Sequence, residues 1–226
     1  LDSGLGDLRR SCSDFRKSSI LTKTRAALSR SLVCSWSSHV ACSIMKIQTF
    51  SIIAGSDICN ARCPFCVSKM TPTQGVSHSE PEVNWRNFHI AAKLAQQCGV
   101  TTAMITGKGE PTLFPEQLTK YLEALAALEF PFVELQTNGI RLIERRDEYS
   151  RHLRAWYELG LTTIALSVVH FKAEKNRQVY LPHKEQYIDL PALIQYLHDL
   201  GLSVRLAAIL AGGFVDDVAS LDQLID

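Results

Sequence analysis

The sequence lacks any long hydrophobic run, and no stretch approaches the ~20 consecutive apolar residues that a membrane-spanning helix requires. It also lacks an excess of charge of either sign, because it contains 24 lysines and arginines and 23 aspartates and glutamates. Neither feature favours a membrane or a nucleic acid as partner, and we infer neither. Hydrophobic residues make up 46% and charged residues 21% of the chain, which is typical of a globular protein and argues against a disordered or fibrous one.

The sequence has no clear secretory leader, and its seven cysteines are odd in number. A disulfide framework is therefore not expected. Three of the cysteines, Cys59, Cys63 and Cys66, fall within eight residues. This clustering indicates metal chemistry in a reducing compartment, and we expect a cytoplasmic protein.

Residues 1–44 differ in composition from the rest of the chain. They hold seven basic residues, three acidic residues and 11 serines, without a helical or strand period. We expect a disordered or non-native extension. A transit peptide would have this composition and would imply an organellar location. A native start at Met45 fits at least as well, so the core domain is predicted over residues 45–226.

After residue 45, short apolar runs alternate with amphipathic segments. Strands are predicted at 46–53, 101–105, 132–136, 162–168 and 203–210, and helices at 84–98, 115–129, 144–159 and from 191 to 200. This alternation predicts an α/β fold with a parallel sheet. A complete eight-stranded barrel typically takes ~250 residues. Residues 45–226 are too few for one, so we expect a partial, TIM-like barrel. Because Asp226 lies inside a helical pattern, we expect this barrel to be truncated after strand five and incomplete at its C-terminus.

The strongest motif is Cys59-Asn60-Ala61-Arg62-Cys63-Pro64-Phe65-Cys66, directly after strand one. Thiolates are soft ligands that suit zinc or an iron–sulfur cluster. Structural zinc normally takes four protein ligands, and His78 or Cys98 would have to supply the fourth. Three cysteines on a cubane cluster would instead leave one iron open to a small molecule. Buried free thiols are the remaining alternative.

Three further motifs follow the next three strands. They are Thr106-Gly107-Lys108-Gly109-Glu110-Pro111-Thr112, Gln136-Thr137-Asn138-Gly139 and Ser167-Val168-Val169-His170. Each one alone is compatible with an ordinary turn. Ligands of βα architectures bind at the carboxyl ends of the parallel strands, however, and all four motifs fall at that edge. We therefore expect one shared site.

The Cys-x3-Cys-x2-Cys motif after the first strand of a βα array resembles the radical S-adenosylmethionine (radical SAM) superfamily. The resemblance covers about residues 46–213 and implies a partial (β/α)6 barrel. It implies that Cys59, Cys63 and Cys66 ligate a [4Fe-4S] cluster whose fourth iron chelates S-adenosylmethionine. It also implies that one electron cleaves this cofactor to a 5′-deoxyadenosyl radical, which abstracts hydrogen from a substrate.

The same resemblance assigns roles to further residues: Phe65 shields the cluster, and Gly109, Glu110, Thr137, Asn138 and Ser167 contact S-adenosylmethionine. Lys108 replaces the first glycine of the family's Gly-Gly-Glu-Pro motif, and would reach a substrate or point to solvent. Arg205 on strand five is interpreted as a structural salt-bridge residue in preference to a ligand contact. Tyr180, His183 and Lys184 are interpreted as a solvated loop in preference to substrate contacts. The catalytic residues stay unknown.

The sequence is most similar to the members that act as molybdenum-cofactor biosynthesis cyclases. The resemblance implies an enzyme that receives electrons from a donor such as flavodoxin or ferredoxin and acts on an unknown substrate. The alternative from another class is a zinc-stabilised binding module without catalysis. Iron and zinc content would separate the two.

Overall fold

Five parallel strands form a single sheet in the computed structural model, which describes residues 47–72, 78–185 and 187–225. The strands are β1 (Thr49–Ala54), β2 (Thr102–Gly107), β3 (Phe132–Thr137), β4 (Thr163–Val168) and β5 (Ser203–Ala208). Neighbours in sequence are neighbours in the sheet, in the order β1-β2-β3-β4-β5. The predicted parallel α/β fold is confirmed. The predicted extension, residues 1–44, lies outside the described residues.

Helices connect the strands. They are α1 (Val67–Met70), α2 (Trp85–Gln97), α3 (Pro115–Ala126), α4 (Ile140–Glu144), α5 (Arg146–Glu158), α6 (Ala173–Tyr180), α7 (Leu190–Asp199) and α8 (Val218–Ile225), with a 3₁₀ turn at Pro111–Leu113. Glycines with positive φ follow α2, α5 and α7, as the helix–glycine–strand pattern predicts. Asn84 and Asp189 cap α2 and α7 by accepting backbone N–H bonds. Among the described residues no helix could cross a membrane.

Successive residues of each strand alternate between the helix-covered face of the sheet and its open face. Alternate residues such as Ile105, Leu135 and Ile164 are fully buried in the main hydrophobic core. Because successive side chains on a strand point to opposite sides, the residues between them share the other face. That face carries polar side chains, including Thr106, Gln136 and Ser167. The open face of the sheet therefore presents polar side chains at its carboxyl edge.

Helix α6 corrects the sequence analysis, which placed a solvated loop between strand four and the next helix. The segment Ala173–Tyr180 is mostly polar and has a weak apolar period. Asn176 holds it in place: this fully buried side chain accepts a hydrogen bond from Val169 N at 2.9 Å. Its amide donates to His170 O and to Lys172 O at 2.5 and 3.2 Å. A buried amide, which periodicity does not detect, thus docks α6 against the end of β4.

Arg205 forms the structural salt bridge that its place in a strand predicts. Its Nε and Nη2 donate to the two carboxylate oxygens of Glu134 at 2.8 and 2.6 Å. Glu134 lies on β3 and Arg205 on β5, so the pair spans β4 on the open face of the sheet. Ala165, which is opposite Arg205 in the register, has a side chain small enough to leave room for it. The guanidinium is engaged within the protein.

Arg205→Ala is expected to lower the free energy of unfolding by about 1–2 kcal/mol, since it leaves the mostly buried Glu134 carboxylate without its partner. The half-exposed guanidinium limits the loss, because solvent screens it. Urea denaturation measures the change. The double variant Glu134→Gln/Arg205→Ala should recover part of the stability, and a double variant as unstable as the sum of the single ones would contradict a paired interaction.

Candidate functional site

One cleft of about 220 Å³ at the carboxyl edge of the sheet collects every residue to which the sequence analysis gave a binding role. These are Cys59, Cys63, Phe65, Cys66, Gly109, Glu110, Thr137, Asn138 and Ser167. They come from the loop after β1 and from the ends of β2, β3 and β4. Four motifs that are far apart in sequence are therefore brought together as expected. Their individual roles stay predictions.

The cysteine loop lies against the body of the domain. Cys63 and Phe65 pack on the main hydrophobic core, and Arg62 N donates to Tyr180 O at the end of α6 at 3.0 Å. Helix α1 begins directly after Cys66, and the Lys69 ammonium donates to Cys63 O at 2.7 Å. The loop is thus held at both sides of Cys63.

The three thiols lie close enough to influence one another. Burial, followed by the neighbouring Cys59 and Cys66, raises the pKa of Cys63 to about 11. Burial also raises the pKa of Cys59. The Cys63 thiol therefore carries its proton near neutral pH in the metal-free chain, and it must release this proton to ligate a metal.

Neither candidate for a fourth zinc ligand joins the three cysteines in the cleft. A zinc site holds its sulfur ligands about 2.3 Å from one point. Within the part of the chain that the structure describes, no group of three His, Cys, Asp or Glu side chains, the three cysteines included, is positioned to hold a metal ion. His78, the candidate fourth zinc ligand, instead pairs through Nδ1 with Asp57 at 2.8 Å. Cys98, the other candidate, caps the end of α2 and does not line the cleft.

Glu110 connects the strand ends behind the cysteines. Its Oε1 accepts hydrogen bonds from Thr112 N, Thr112 Oγ1 and Thr137 Oγ1 at 3.0, 2.7 and 2.6 Å. Its Oε2 accepts from Asn138 N at 3.0 Å, the one hydrogen bond that this oxygen makes among the described residues. The residue is 3% exposed and lines the cleft. The carboxylate is thus rigidly oriented, and Oε2 retains capacity for another donor.

Gly109 has a structural role in addition to the predicted contact with S-adenosylmethionine, which stays a prediction. Its N–H donates to Ser56 O, and the next amide, Glu110 N, donates to Ile58 O, both at 2.9 Å. A Cβ on Gly109 would lie 2.0 Å from Ile58 O. Gly109 therefore lets the cysteine loop approach the β2 turn closely, which fixes Cys59 relative to Glu110.

Gly109→Ala is expected to displace the start of the cysteine loop and to reduce iron loading at least several-fold, because a backbone oxygen cannot accommodate the new methyl group. Iron and sulfide analysis after anaerobic reconstitution measures the effect. Gly99→Ala is the matched control: it has a positive φ and open space around it, so it should cost about 1 kcal/mol of stability and leave iron loading unchanged. Equal loading of both variants would contradict this role.

Lys108, which departs from the family motif, makes a contact within the protein that its place in the motif does not predict. Its ammonium donates to Pro72 O at 2.7 Å, just after α1. The side chain thereby ties the β2 turn to the segment that follows the third cysteine. The substitution in the motif replaces a glycine with a cation that helps to hold the cysteine loop.

Asn138 joins the β3 turn to the cysteine loop. Its Nδ2 donates to Asn60 Oδ1 at 2.7 Å and lies 3.9 Å from Cys59 Sγ, within the range of an N–H···S contact. Its Oδ1 accepts from Ile140 N at 3.0 Å, which starts α4 after the positive-φ Gly139. The Thr-Asn-Gly motif is therefore both a turn and one wall of the cleft.

The sequence analysis missed several residues of the cleft. Tyr180 was assigned to a solvated loop, yet it is 1% exposed and lines the cleft beside Cys63. Ile209, just after β5, also lines the cleft and belongs to none of the four motifs, whereas Thr106 and Gln136, the first residues of two of the motifs, line it as expected. The solvated interpretation fits His183, which is exposed. Lys184 bonds to Glu144 on α4.

A family model described as the radical SAM superfamily matches residues 53–226. Two curated relatives are both named GTP 3',8-cyclase. The protein of Vibrio parahaemolyticus is 24% identical over 198 residues, covering 73% of this chain and 55% of the relative. That of Chlorobaculum tepidum is 29% identical over 167 residues, covering 73% of this chain and 46% of the relative. The chain thus spans about half the length of these relatives.

Solved structures show the same fold. SuiB of Streptococcus suis matches with a TM-score of 0.56 at 19% identity, over 80% of this chain and 37% of that chain. Its structure bound to S-adenosylmethionine matches with a TM-score of 0.54 at 18% identity, over 79% of this chain and 36% of that chain. At this identity the likeness concerns the fold.

Proposed function

Since the chain belongs to the radical SAM superfamily, we propose that Cys59, Cys63 and Cys66 hold a [4Fe-4S] cluster that reductively cleaves S-adenosylmethionine. The observation that carries this proposal is the single cleft that the three cysteines line together with Glu110. Three cysteines cannot saturate four irons, so one iron stays open to the amino and carboxylate groups of S-adenosylmethionine. When bound, the cluster supplies the electron that yields a 5′-deoxyadenosyl radical.

Different residues of the cleft would contact different parts of S-adenosylmethionine. Glu110 Oε2 has the capacity to accept a hydrogen bond from the cationic amine, which is a charge-assisted interaction. Ser167 at the end of β4 and Thr106 at the end of β2 offer hydroxyl groups on the open face. Phe65, which packs on the core and lines the cleft, would shield the cluster. Together they orient the cofactor and exclude water.

The substrate, in this proposal, lies above the open face of the sheet, beside the polar side chains at its carboxyl edge. Gln136 and Ser167 provide hydrogen-bonding groups there, and Arg205 remains half exposed although it pairs with Glu134. A polar substrate would satisfy these groups. The two curated relatives are named for a reaction on GTP, and we propose a related polar molecule as substrate of this chain. An electron donor such as flavodoxin or ferredoxin would reduce the cluster.

The product assay tests the proposal. Protein that is reconstituted anaerobically with iron and sulfide and then reduced should convert S-adenosylmethionine to 5′-deoxyadenosine and methionine. Addition of the correct substrate should increase the yield, so GTP is compared with other nucleotides. A protein that purifies anaerobically with one zinc and no iron, and forms no 5′-deoxyadenosine, would instead support the zinc-stabilised binding module.

A further inference from the structure

Two hydrogen bonds tie Lys69 to the second and third cysteines of the loop. Its ammonium donates to Cys63 O at 2.7 Å, and its backbone N–H donates to Cys66 O at 3.0 Å. The second bond lies at the start of α1, the short helix that begins directly after Cys66. One residue therefore contacts the main chain of two of the three cysteines.

The ammonium of Lys69 has no carboxylate partner among the described residues. The segment 58–72 contains two basic residues, Arg62 and Lys69, and no acidic residue. Asp57, just before this segment, pairs with His78 at 2.8 Å. The positive charge of Lys69 is therefore held beside the cysteines without a neighbouring carboxylate to neutralise it.

The charge of Lys69 also reaches the sulfur atoms. Burial is the main cause of the raised pKa of both Cys59 and Cys63, and the charge of Lys69 acts on both in the opposite direction. A cation has this effect because it stabilises negative charge on a nearby sulfur. Glu110 acts in the opposite sense on Cys59, since its carboxylate raises the pKa of that thiol. Lys69 thus opposes the accumulation of negative charge at the site.

We propose that Lys69 raises the reduction potential of the iron–sulfur cluster through the positive charge that it holds against the Cys63 carbonyl. The inference rests on the proposed function, because it requires the cluster. Reduction adds negative charge to a cluster that three thiolates already make anionic, so a nearby cation stabilises the reduced form more than the oxidised form. Lys69 is a positioning residue, since it contacts the ligand loop and is not among the described residues that line the cleft.

Lys69→Met tests the proposal, because it removes the charge and keeps an unbranched side chain. The reconstituted protein is titrated without S-adenosylmethionine at low ionic strength, and the reduced cluster is followed by EPR. We expect about tenfold less reduced cluster at a fixed potential, equivalent to a midpoint ~59 mV lower for a one-electron couple. Lys93→Met is the matched control: this lysine is exposed on α2, outside the cleft. That variant should titrate like the unaltered protein.

Two further measurements separate the charge of Lys69 from a merely structural role. Lys69→Arg keeps the charge and should hold the reduced fraction within about twofold of that of the unaltered protein. Lys69 is exposed, so salt screens its charge: the Debye length falls from ~30 Å at 0.01 M to ~3 Å at 1 M ionic strength. The tenfold effect of Lys69→Met should therefore shrink to less than about threefold at high salt. Loss of a hydrogen bond alone would give the same effect at both ionic strengths.

Three results would overturn the inference. They are an unchanged midpoint in Lys69→Met, a loss of reduced cluster in Lys69→Arg as large as that in Lys69→Met, and an effect of Lys69→Met that high salt does not reduce. If Lys69→Met does not retain the cluster, Lys69→Gln is titrated in its place, because its neutral amide still offers an N–H donor to the loop. The same results then decide.

The two proposals fail in different ways. If the unaltered protein takes up no iron, the proposed function fails and this inference fails with it. If the unaltered protein forms the cluster and cleaves S-adenosylmethionine, yet Lys69→Met titrates at the same potential, only the inference about Lys69 fails.

Discussion

Cys63→Ala is expected to reduce the iron content from about four atoms per chain to nearly none after anaerobic reconstitution. Two thiols cannot hold a cubane against loss of iron, and Cys63 is the central ligand of the loop, held by contacts on both sides. The absorption and EPR spectra of a four-iron cluster should disappear with the iron. No 5′-deoxyadenosine should form.

Cys98→Ala provides the control for this experiment. Cys98 is a free cysteine on the surface at the end of α2, outside the cleft. Its removal should leave iron content, spectra and cleavage of S-adenosylmethionine unchanged. Four irons retained in Cys63→Ala, or iron lost equally in Cys98→Ala, would show that the three-cysteine loop is not the ligand set.

Glu110→Gln is expected to weaken binding of S-adenosylmethionine to the reconstituted protein by about tenfold to a hundredfold, the worth of a charge-assisted hydrogen bond. The neutral amide of the variant cannot form an ion pair with the cationic amine of the cofactor. Both carboxylate oxygens of Glu110 accept hydrogen bonds, from Thr137 Oγ1 and from Asn138 N among others. The NH2 group of glutamine would therefore be placed against a hydrogen-bond donor. We expect a loss of about 1–3 kcal/mol in the free energy of unfolding.

Thr112→Val distinguishes the binding role of Glu110 from its structural role. The fully buried Thr112 hydroxyl donates to Glu110 Oε1 but does not line the cleft. Its loss should destabilise the chain by about 1 kcal/mol and change the affinity for S-adenosylmethionine by less than about threefold. Equilibrium dialysis and urea denaturation supply the two measurements. If both variants weaken binding equally, Glu110 only supports the fold.

The sequence was sufficient to predict the sheet and the place of the site. Apolar runs marked all five strands, and parallel strands bring their carboxyl ends to one edge, so four separate motifs had to converge there. Superfamily membership is confirmed by the family match over residues 53–226. The ligand and cofactor roles of the motif residues stay predictions, as do the electron donor and the nature of residues 1–44.

Contacts between distant residues could not be predicted in the same way. The tie between Asn138 and Asn60 joins residues 78 positions apart, and nothing in either turn motif indicates it. The need for glycine at position 109 arises from the Ile58 carbonyl of another loop. Helix α6 is held by the buried amide of Asn176, and its sequence is mostly polar. The segment therefore resembled a loop, and the burial of Tyr180 at its end could not be predicted. The hydrophobic periodicity of a helix or strand indicates which of its faces is buried. It does not indicate which distant residues pack against that face.

The EPR spectrum of the reduced, reconstituted protein, recorded with and without S-adenosylmethionine, tests the central claim most directly. If the three thiols hold a cubane with one iron open toward Glu110, the cofactor binds that iron and changes the g values of the reduced cluster. The same addition should leave the spectrum of Glu110→Gln largely unchanged at a concentration that saturates the unaltered protein. A four-iron spectrum that S-adenosylmethionine does not alter in the unaltered protein would contradict the account.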